Sequence, residues 1–452
     1  MKKTLFGTDG IRGIANEYPM TPEIMVRLGR AIVAGLPDSE GEKRIIIGKD
    51  TRLSGDMIES ALSAGICSMN GDVFLAGVLP TPAIACLAAS GLYDAGIVIS
   101  ASHNPFYDNG IKIFNRAGFK VSDDIEAAIE DNVLNDNFED NRLLSNDIGI
   151  INRIESPGDK YIAFLKNILP PDYSLKGLRI ILDCANGATY QTAPKLFADL
   201  GAEIKILAAS PDGTNINENC GSQHTQNLRE MVLKDHANMG FAFDGDGDRL
   251  IAVDDLGNEI TGDHILAVCA KYLKETGELK NNAVVSTVMS NVGLHETLKN
   301  LGIRHVIADV GDRHVLKAMQ ESHAVIGGED SGHMIFLGRH TSGDGIFTAL
   351  RLAQVIQATS QKLSDLVKII KIYPQVLLNV PIREKTDISK ISELSDIIKK
   401  VENALGERGR VLVRYSGTQP LCRVMVEGPD PDDTMRFCQD IADVITEKMG
   451  AA

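Results

Sequence analysis

Hydrophobic positions in this chain fall in short aliphatic runs, separated by stretches whose apolar residues recur at helical spacing. Runs of that kind, bounded by glycine-rich or polar segments, predict buried strands, and the spaced stretches predict helices. The order strand, loop, helix closed by glycine, second strand, third strand, polar loop is written three times. The first copy uses Ile45-Ile46-Ile47 with loop Gly48 to Arg52, a helix to Asn70, Val73-Phe74-Leu75, and Ile97-Val98-Ile99. The second uses Ile180-Ile181-Leu182, a helix ending at Gly201, Ile204 to Leu207, and Phe241-Ala242-Phe243. The third uses Val284-Val285-Ser286, a helix ending at Gly302, Val306-Ile307-Ala308, and Val325-Ile326. Gly71, Gly201 and Gly302 stand where a left-handed residue would stop each helix.

After about residue 370 the pattern changes. A strand over Tyr373 to Ile382, a helix over Ile388 to Leu405, strands at Val411 to Val413 and Arg423 to Val426, and a helix from Asp432 to Lys448 predict a β-α-β-β-α segment. The expected fold class is therefore α/β: three similar α/β/α units with mixed sheets around a central cleft, plus a smaller C-terminal α+β domain. The boundaries are placed at 1–153, 154–256, 257–370 and 371–452. Each repeated unit ends its third strand in a polar loop: Ser100 to Pro105, Asp244 to Arg249, and Gly327 to His333. Strand carboxyl ends are where α/β folds place ligands, so the three loops are expected to converge on one cleft.

The second loop carries the plainest chemistry. Asp244, Asp246 and Asp248 alternate with glycines and end at Arg249. Alternate residues of an extended chain point one way, and glycine lets the loop fold until all three acids reach one point. Three ionised carboxylates that close repel unless a cation sits among them, and all-oxygen ligation suits Mg²⁺ or Ca²⁺. An EF-hand does not fit, because Arg249 takes the place of its glycine, Asp255 that of its final glutamate, and a strand leads in.

In the first loop, Ser102 lacks the G-x-S-x-G setting of a hydrolase nucleophile. Beside a metal site it reads better as a phosphate carrier. His103 is expected to orient the loop, since adjacent side chains of an extended segment diverge. Asp108-Asn109-Gly110 reads as a hairpin-type turn that returns Lys112 toward Ser102 to bind phosphate or shuttle a proton. In the third loop, Glu329 and Ser331 suit vicinal sugar hydroxyls. Arg12 lies in the glycine-rich Gly7 to Gly13. Arg414-Tyr415-Ser416-Gly417-Thr418-Gln419-Pro420, with Arg423, offers cations, hydroxyls and glycine N–H groups for a phosphate. No Walker A or G-x-G-x-x-G motif supports nucleotide binding.

Composition narrows the partners. Against 61 acidic residues stand 46 Lys and Arg, a net charge of −15 in 452 residues, with no basic run for nucleic acid or anionic membranes. Apolar runs are too short to span a bilayer. Seven cysteines without a C-x-x-C pair fit a reducing compartment, so the protein is expected in the cytoplasm.

Together, Thr8 to Gly13, Ser100 to Pro105, Asp244 to Arg249, Gly328 to His333 and Arg414 to Arg423 resemble the α-D-phosphohexomutase family, in order and along essentially the whole chain. The resemblance implies a phosphoserine at Ser102; with the residue reading above, Lys112, His103 and Arg12 are expected to be its catalytic companions. It implies one Mg²⁺ per chain held by Asp244, Asp246, Asp248 and the Ser102 phosphate. Arg249, Glu329, Ser331 and His333 would bind the sugar. Arg414, Ser416, Gly417, Thr418 and Arg423 would hold its non-reacting phosphate. The implied reaction takes glucosamine 6-phosphate to glucosamine 1-phosphate, toward UDP-N-acetylglucosamine and cell-wall precursors, through a bisphosphate. Ser102 would first be phosphorylated by a sugar bisphosphate or a kinase. Neutral hexose phosphates are the alternative substrates, and a non-catalytic sugar-phosphate sensor is the alternative class. Tyr415, Gln419, Asp330 and His314 depart from the usual pattern, and the last two lie near the sugar loop. A homodimer stays open.

Overall fold

The aliphatic runs become strands in the computed structural model, which describes residues 4–7, 9–37, 42–135, 147–415 and 420–450. In chain order, the first sheet and its helices comprise β1 (Phe6–Gly7), β2 (Gly10–Ile14), α1 (Pro22–Gly35), β3 (Lys43–Lys49), α2 (Gly55–Cys67), β4 (Gly71–Val78), α3 (Thr81–Ala88), β5 (Ala95–Ile99), β6 (Asp108–Asn115), α4 (Asp123–Asn135) and β7 (Ile151–Arg153). The second group has α5 (Pro157–Ile168), β8 (Arg179–Asp183), α6 (Thr192–Asp199), β9 (Glu203–Leu207), α7 (Gln226–Lys234), β10 (Met239–Phe243), β11 (Leu250–Val253) and β12 (Glu259–Ile260). The third has α8 (Gly262–Glu275), β13 (Ala283–Thr287), α9 (Val292–Asn300), β14 (Arg304–Ala308), α10 (Asp312–Ser322), β15 (Ile326–Gly328), β16 (Met334–Ile335), α11 (Gly345–Thr359) and α12 (Leu363–Leu366). The last has β17 (Gln375–Pro381), α13 (Ser392–Leu405), β18 (Arg410–Tyr415), β19 (Leu421–Glu427) and α14 (Pro431–Met449).

The repeat is one of topology. The sheets contain the orders β4-β3-β5-β6, β9-β8-β10-β11 and β14-β13-β15-β16. In each, the first strand pairs in parallel with the second and third, and the fourth returns antiparallel to the third. The sheets are therefore mixed, as the strand–helix alternation predicts. Each polar loop is the connection of a hairpin between third and fourth strands. The inner strands β5, β8 and β10 carry apolar side chains on both faces because α/β sheets are covered on both sides.

Two local expectations are corrected. The helix of the first copy is stopped by Asn70, at φ +60, whereas Gly71 already opens β4. Asp108-Asn109-Gly110 is no turn. Those residues lie inside β6, opposite Ile14, Gly13 and Arg12 of β2, and residues 100–107 make the reversal themselves.

The chain divides into two compact units, Met1–Met289 with Arg304–Lys368, and Ser290–Ile303 with Ile369–Ala452. The first holds the three mixed sheets. In the second, β17, β19 and β18 form an antiparallel sheet covered by α13 and α14. Its α9 is anchored where Val292 N donates to Glu427 Oε2 at 3.0 Å and Asn291 Nδ2 to Tyr373 O at 2.9 Å. Among the described residues, no helix is long and apolar enough to cross a membrane.

Candidate active site

The all-buried strand β10 delivers Asp244 to the carboxyl end of the sheet, where Gly247, at φ +71, turns the chain back into β11. Only glycine occupies such a backbone conformation without cost. Asp244, Asp246 and Asp248 are 0%, 0% and 4% exposed, and one oxygen of each lies within 4.8 Å of the others. Burial, then the charges of Asp248 and Asp246, hold the Asp244 carboxyl well above its usual range. Burial acts on Asp248 too, but Lys112 and His333 outweigh it and hold that group well below.

Lys112 Nζ donates to Asp246 Oδ2 at 2.8 Å and to Asp248 Oδ2 at 3.0 Å, and stands 3.6 Å from Asp9 Oδ2. It is 1% exposed, so it is no solvent-facing strand residue. Burial alone would depress this amine; Asp246, Asp248 and Asp9 outweigh burial and keep it charged. Arg249, whose Nε stands 3.9 Å from Asp248 Oδ1, adds a second cation beside the trio. Asp246 Oδ1 and Asp248 Oδ1 are buried with no hydrogen-bond partner. A buried acceptor left unpaired costs about 1–3 kcal/mol, and an all-oxygen set of this kind fits a hard divalent ion. The residues present therefore fit Mg²⁺.

Ser102 Oγ, 142 residues away in sequence, donates to Asp244 Oδ2 at 2.5 Å. It also lies 3.2 Å from Nδ1 of His103, contrary to the expected divergence of neighbouring side chains. The reason is backbone: Ser102 is left-handed, φ +54, not extended. Burial, with Arg249 and Arg12 nearby, pushes the His103 imidazole down to about 4. His103 is thus neutral at ordinary pH.

The third loop meets the second through the bridge between Arg249 and His333 and through Leu250 N donating to Gly332 O at 3.1 Å. His333 Nδ1 stands 3.6 Å from Asp248 Oδ1, and its Nε2 is buried without a partner. Burial would depress this imidazole, but Asp248, Asp312 and Glu329 outweigh it and raise it. Glu329 Oε1 accepts from Gly311 N at 3.0 Å, and half-buried Ser331 follows two residues on. Asp330 turns to the start of α8, accepting from Asp263 N at 3.1 Å and, through its carbonyl, from Gly262 N at 3.0 Å.

Three members escape sequence reasoning. Asp9 takes Arg12 Nη2 at 2.6 Å and also meets Lys120, whose Nζ reaches Asp312 Oδ2 at 2.5 Å. Asp9 stands only as part of a glycine-rich stretch, and nothing periodic singles out Lys120 or Asp312. Arg12 thus belongs to a charge network running from Lys112 through Asp9 and Lys120 to Asp312. Its own Nε is buried and unpaired.

In the other compact unit, Arg414 and Arg423 are register partners on β18 and β19. Directly opposed residues share a sheet face, and like charges there repel. Burial, then Arg423, lowers the pKa of Arg414 below its usual value, and Arg423 Nε is buried without a partner. Such a pair calls for an anion. Ser416, Gly417 and Thr418, as well as Thr8 and Gln419, lie outside the described residues.

Comparison with known proteins bears on this arrangement directly. Four profiles of the phosphoglucomutase/phosphomannomutase family match in order: alpha/beta/alpha domain I over residues 3–140, domain II over 159–257, domain III over 261–373, and the C-terminal domain over 377–444. The chain belongs to this family of sugar-phosphate mutases. Within it, the chain is 53% identical over 446 residues to the phosphoglucosamine mutase of Syntrophus aciditrophicus, covering 99% of both chains. It is 52% identical over 447 residues to that of Syntrophobacter fumaroxidans, covering 99% of this chain and 100% of the other. A phosphoglucomutase/phosphomannomutase family protein from Burkholderia thailandensis shares the fold at a TM-score of 0.79, with 23% identity and 99% of each chain covered. N-acetylphosphoglucosamine mutase of Aspergillus fumigatus, solved with GlcNAc-6P and magnesium, shares it at 0.68, with 15% identity over 99% and 96% of the two chains.

Proposed function

We propose that this protein interconverts glucosamine 6-phosphate and glucosamine 1-phosphate through a phosphoserine at Ser102 and a bisphosphorylated sugar, supplying UDP-N-acetylglucosamine and cell-wall precursors. The single observation that carries the mechanism is the 2.5 Å contact between Ser102 Oγ and Asp244, inside a buried acidic trio with two unsatisfied oxygens. Mg²⁺ held by Asp244, Asp246 and Asp248 would offset charge on the phosphoryl group in flight.

The chain's own residues divide the remaining work. Phosphoserine gives its phosphoryl group to a sugar hydroxyl: the Ser102 Oγ–P bond breaks as the sugar O–P bond forms, and the hydroxyl proton must leave. Lys112, held charged by its acidic neighbours, suits a proton donor and phosphoryl-oxygen partner better than a base. Neutral His103, beside Ser102 Oγ, and His333, with Nε2 free, are the groups able to take a proton. Arg12 and Arg249 supply positive charge, and Glu329 with Ser331 reads sugar hydroxyls. The opposed Arg414 and Arg423, with Ser416, Gly417 and Thr418, receive the phosphate that does not react. Reorientation of the bisphosphate then lets Ser102 take back the other phosphoryl group.

Four domains at 1–153, 154–256, 257–370 and 371–452 are the division we propose. A cytoplasmic setting is supported by seven free cysteines, and no partnership with nucleic acid or membrane is inferred at a net charge of −15. Whole-chain similarity to phosphoglucosamine mutases supports the amino sugar over glucose or mannose. Measuring kcat/KM on the three hexose 6-phosphates tests this. Glucosamine 6-phosphate should be turned over best, and preference for a neutral hexose would reject that assignment.

A further inference from the structure

Two carbonyls of the serine loop each accept from the same pair of side chains. Arg52 Nη2 reaches Ser102 O at 3.0 Å and Asn104 O at 2.8 Å. Asn217 Nδ2 reaches the same two oxygens at 2.9 and 3.0 Å. Arg52 follows β3 of the first sheet, whereas Asn217 lies between β9 and α7, in the group that carries the metal loop. Arg52 Nη1 also donates to Asp108 O at 3.0 Å and to Pro105 O. Its Nε rests on Asp50 Oδ2 at 2.8 Å. That oxygen takes Ser100 Oγ at 2.5 Å, and Ser100 Oγ in turn takes Ser102 N at 2.9 Å. Arg52 and Asp50 side chains are 0% exposed.

The metal loop presses on the same spot. A Cβ on Gly245, between two of the acids, would stand 2.5 Å from Ser102 O and 2.8 Å from Asn217 Nδ2. A buried arginine that merely filled a core would spread its bonds over several elements. Here every carbonyl it meets belongs to residues 102–108, and the nearest two are shared with a donor from the neighbouring group.

We propose that Arg52 and Asn217 are positioning residues for phosphoryl transfer. Together they hold the Ser102 and Asn104 carbonyls from two sides, keep Ser102 left-handed, and so aim its Oγ at Asp244. This rests on the phosphoserine reading above. Displacing a reacting group by about 1 Å can cost roughly a hundredfold in rate. Asn217→Ala, Arg52→Lys and the double variant, each checked for melting temperature, should therefore lose kcat. For Asn217→Ala we expect a loss of roughly tenfold to a hundredfold, with KM for glucosamine 6-phosphate within about twofold. Because the two donors share acceptors, their effects should not multiply, and the double variant should stay within about threefold of the worse single one. Intact mass of each protein reports the phosphoryl group on Ser102. If wild type carries none and Ser102→Ala keeps its turnover, the mutase reading itself fails. If wild type carries it but Asn217→Ala keeps kcat, or changes only KM, the positioning role is overturned. Multiplicative losses would overturn the shared clamp. Should Arg52→Lys not fold, the kcat and KM of Asn217→Ala decide alone.

Discussion

A single backbone angle at Ser102 changes what its neighbours can do. A left-handed non-glycine residue costs on the order of 1–3 kcal/mol, while hydrogen bonds with a charged partner contribute about 1.5–3 kcal/mol each. The Arg52 bonds are thus enough to offset the strain. The same angle defeats the sequence rule that adjacent side chains diverge and puts His103 beside the serine oxygen. Arg52 and Asn217 were not legible, because a donor to backbone carbonyls far along the chain leaves no periodic mark. His340 carries a prediction at this scale. Its Nδ1 accepts from Thr341 N at 2.9 Å, its ring meets Phe164 edge-on, and burial pushes it down to about 4. The unfolded chain takes up that proton first, near pH 6.5, so the contribution to stability is full above that pH and is lost as pH falls toward 4. Up to about 3 kcal/mol is involved. His340→Gln should flatten the fall of melting temperature between pH 6.5 and 4, and an unchanged slope would refute this.

At the scale of elements, the strands and their order along the chain were readable, though not their order within each sheet, because aliphatic runs are short and strands of a covered sheet must be apolar on both faces. The convergence of the three loops followed from that order alone. Lys112 reaches Asp246 and Asp248 from strand β6, not from a turn at Asn109-Gly110, because the serine loop itself makes the reversal. Gly71 failed as a helix stop because Asn70 also tolerates the left-handed region, one residue earlier. The opposed arginines of β18 and β19 lead to a second prediction. Arg423→Ala relieves the repulsion with Arg414 while removing half of the proposed anion site. The protein should melt no lower than wild type, and KM for the sugar phosphate should rise roughly tenfold or more. An unchanged KM would show that the pair does not hold phosphate.

Over the whole molecule, a net charge of −15 leaves an anionic substrate dependent on a few placed cations; Lys112, Arg12 and Arg249 and, in the other unit, Arg414 and Arg423 are the ones we propose. Composition could signal that need but could not say which cations answer it. The choice between amino and neutral sugars was least legible, since Asp330, the departure nearest the sugar loop, is occupied at the start of α8. The central claim is that Ser102 exchanges a phosphoryl group beside the acidic trio. Intact-mass measurement after incubation with glucose 1,6-bisphosphate and Mg²⁺ tests it most directly. The account predicts one added phosphoryl group on wild type and none on Ser102→Ala, which should also be inactive. A phosphoryl group that persists in that variant, or near-normal turnover without Ser102, would contradict it.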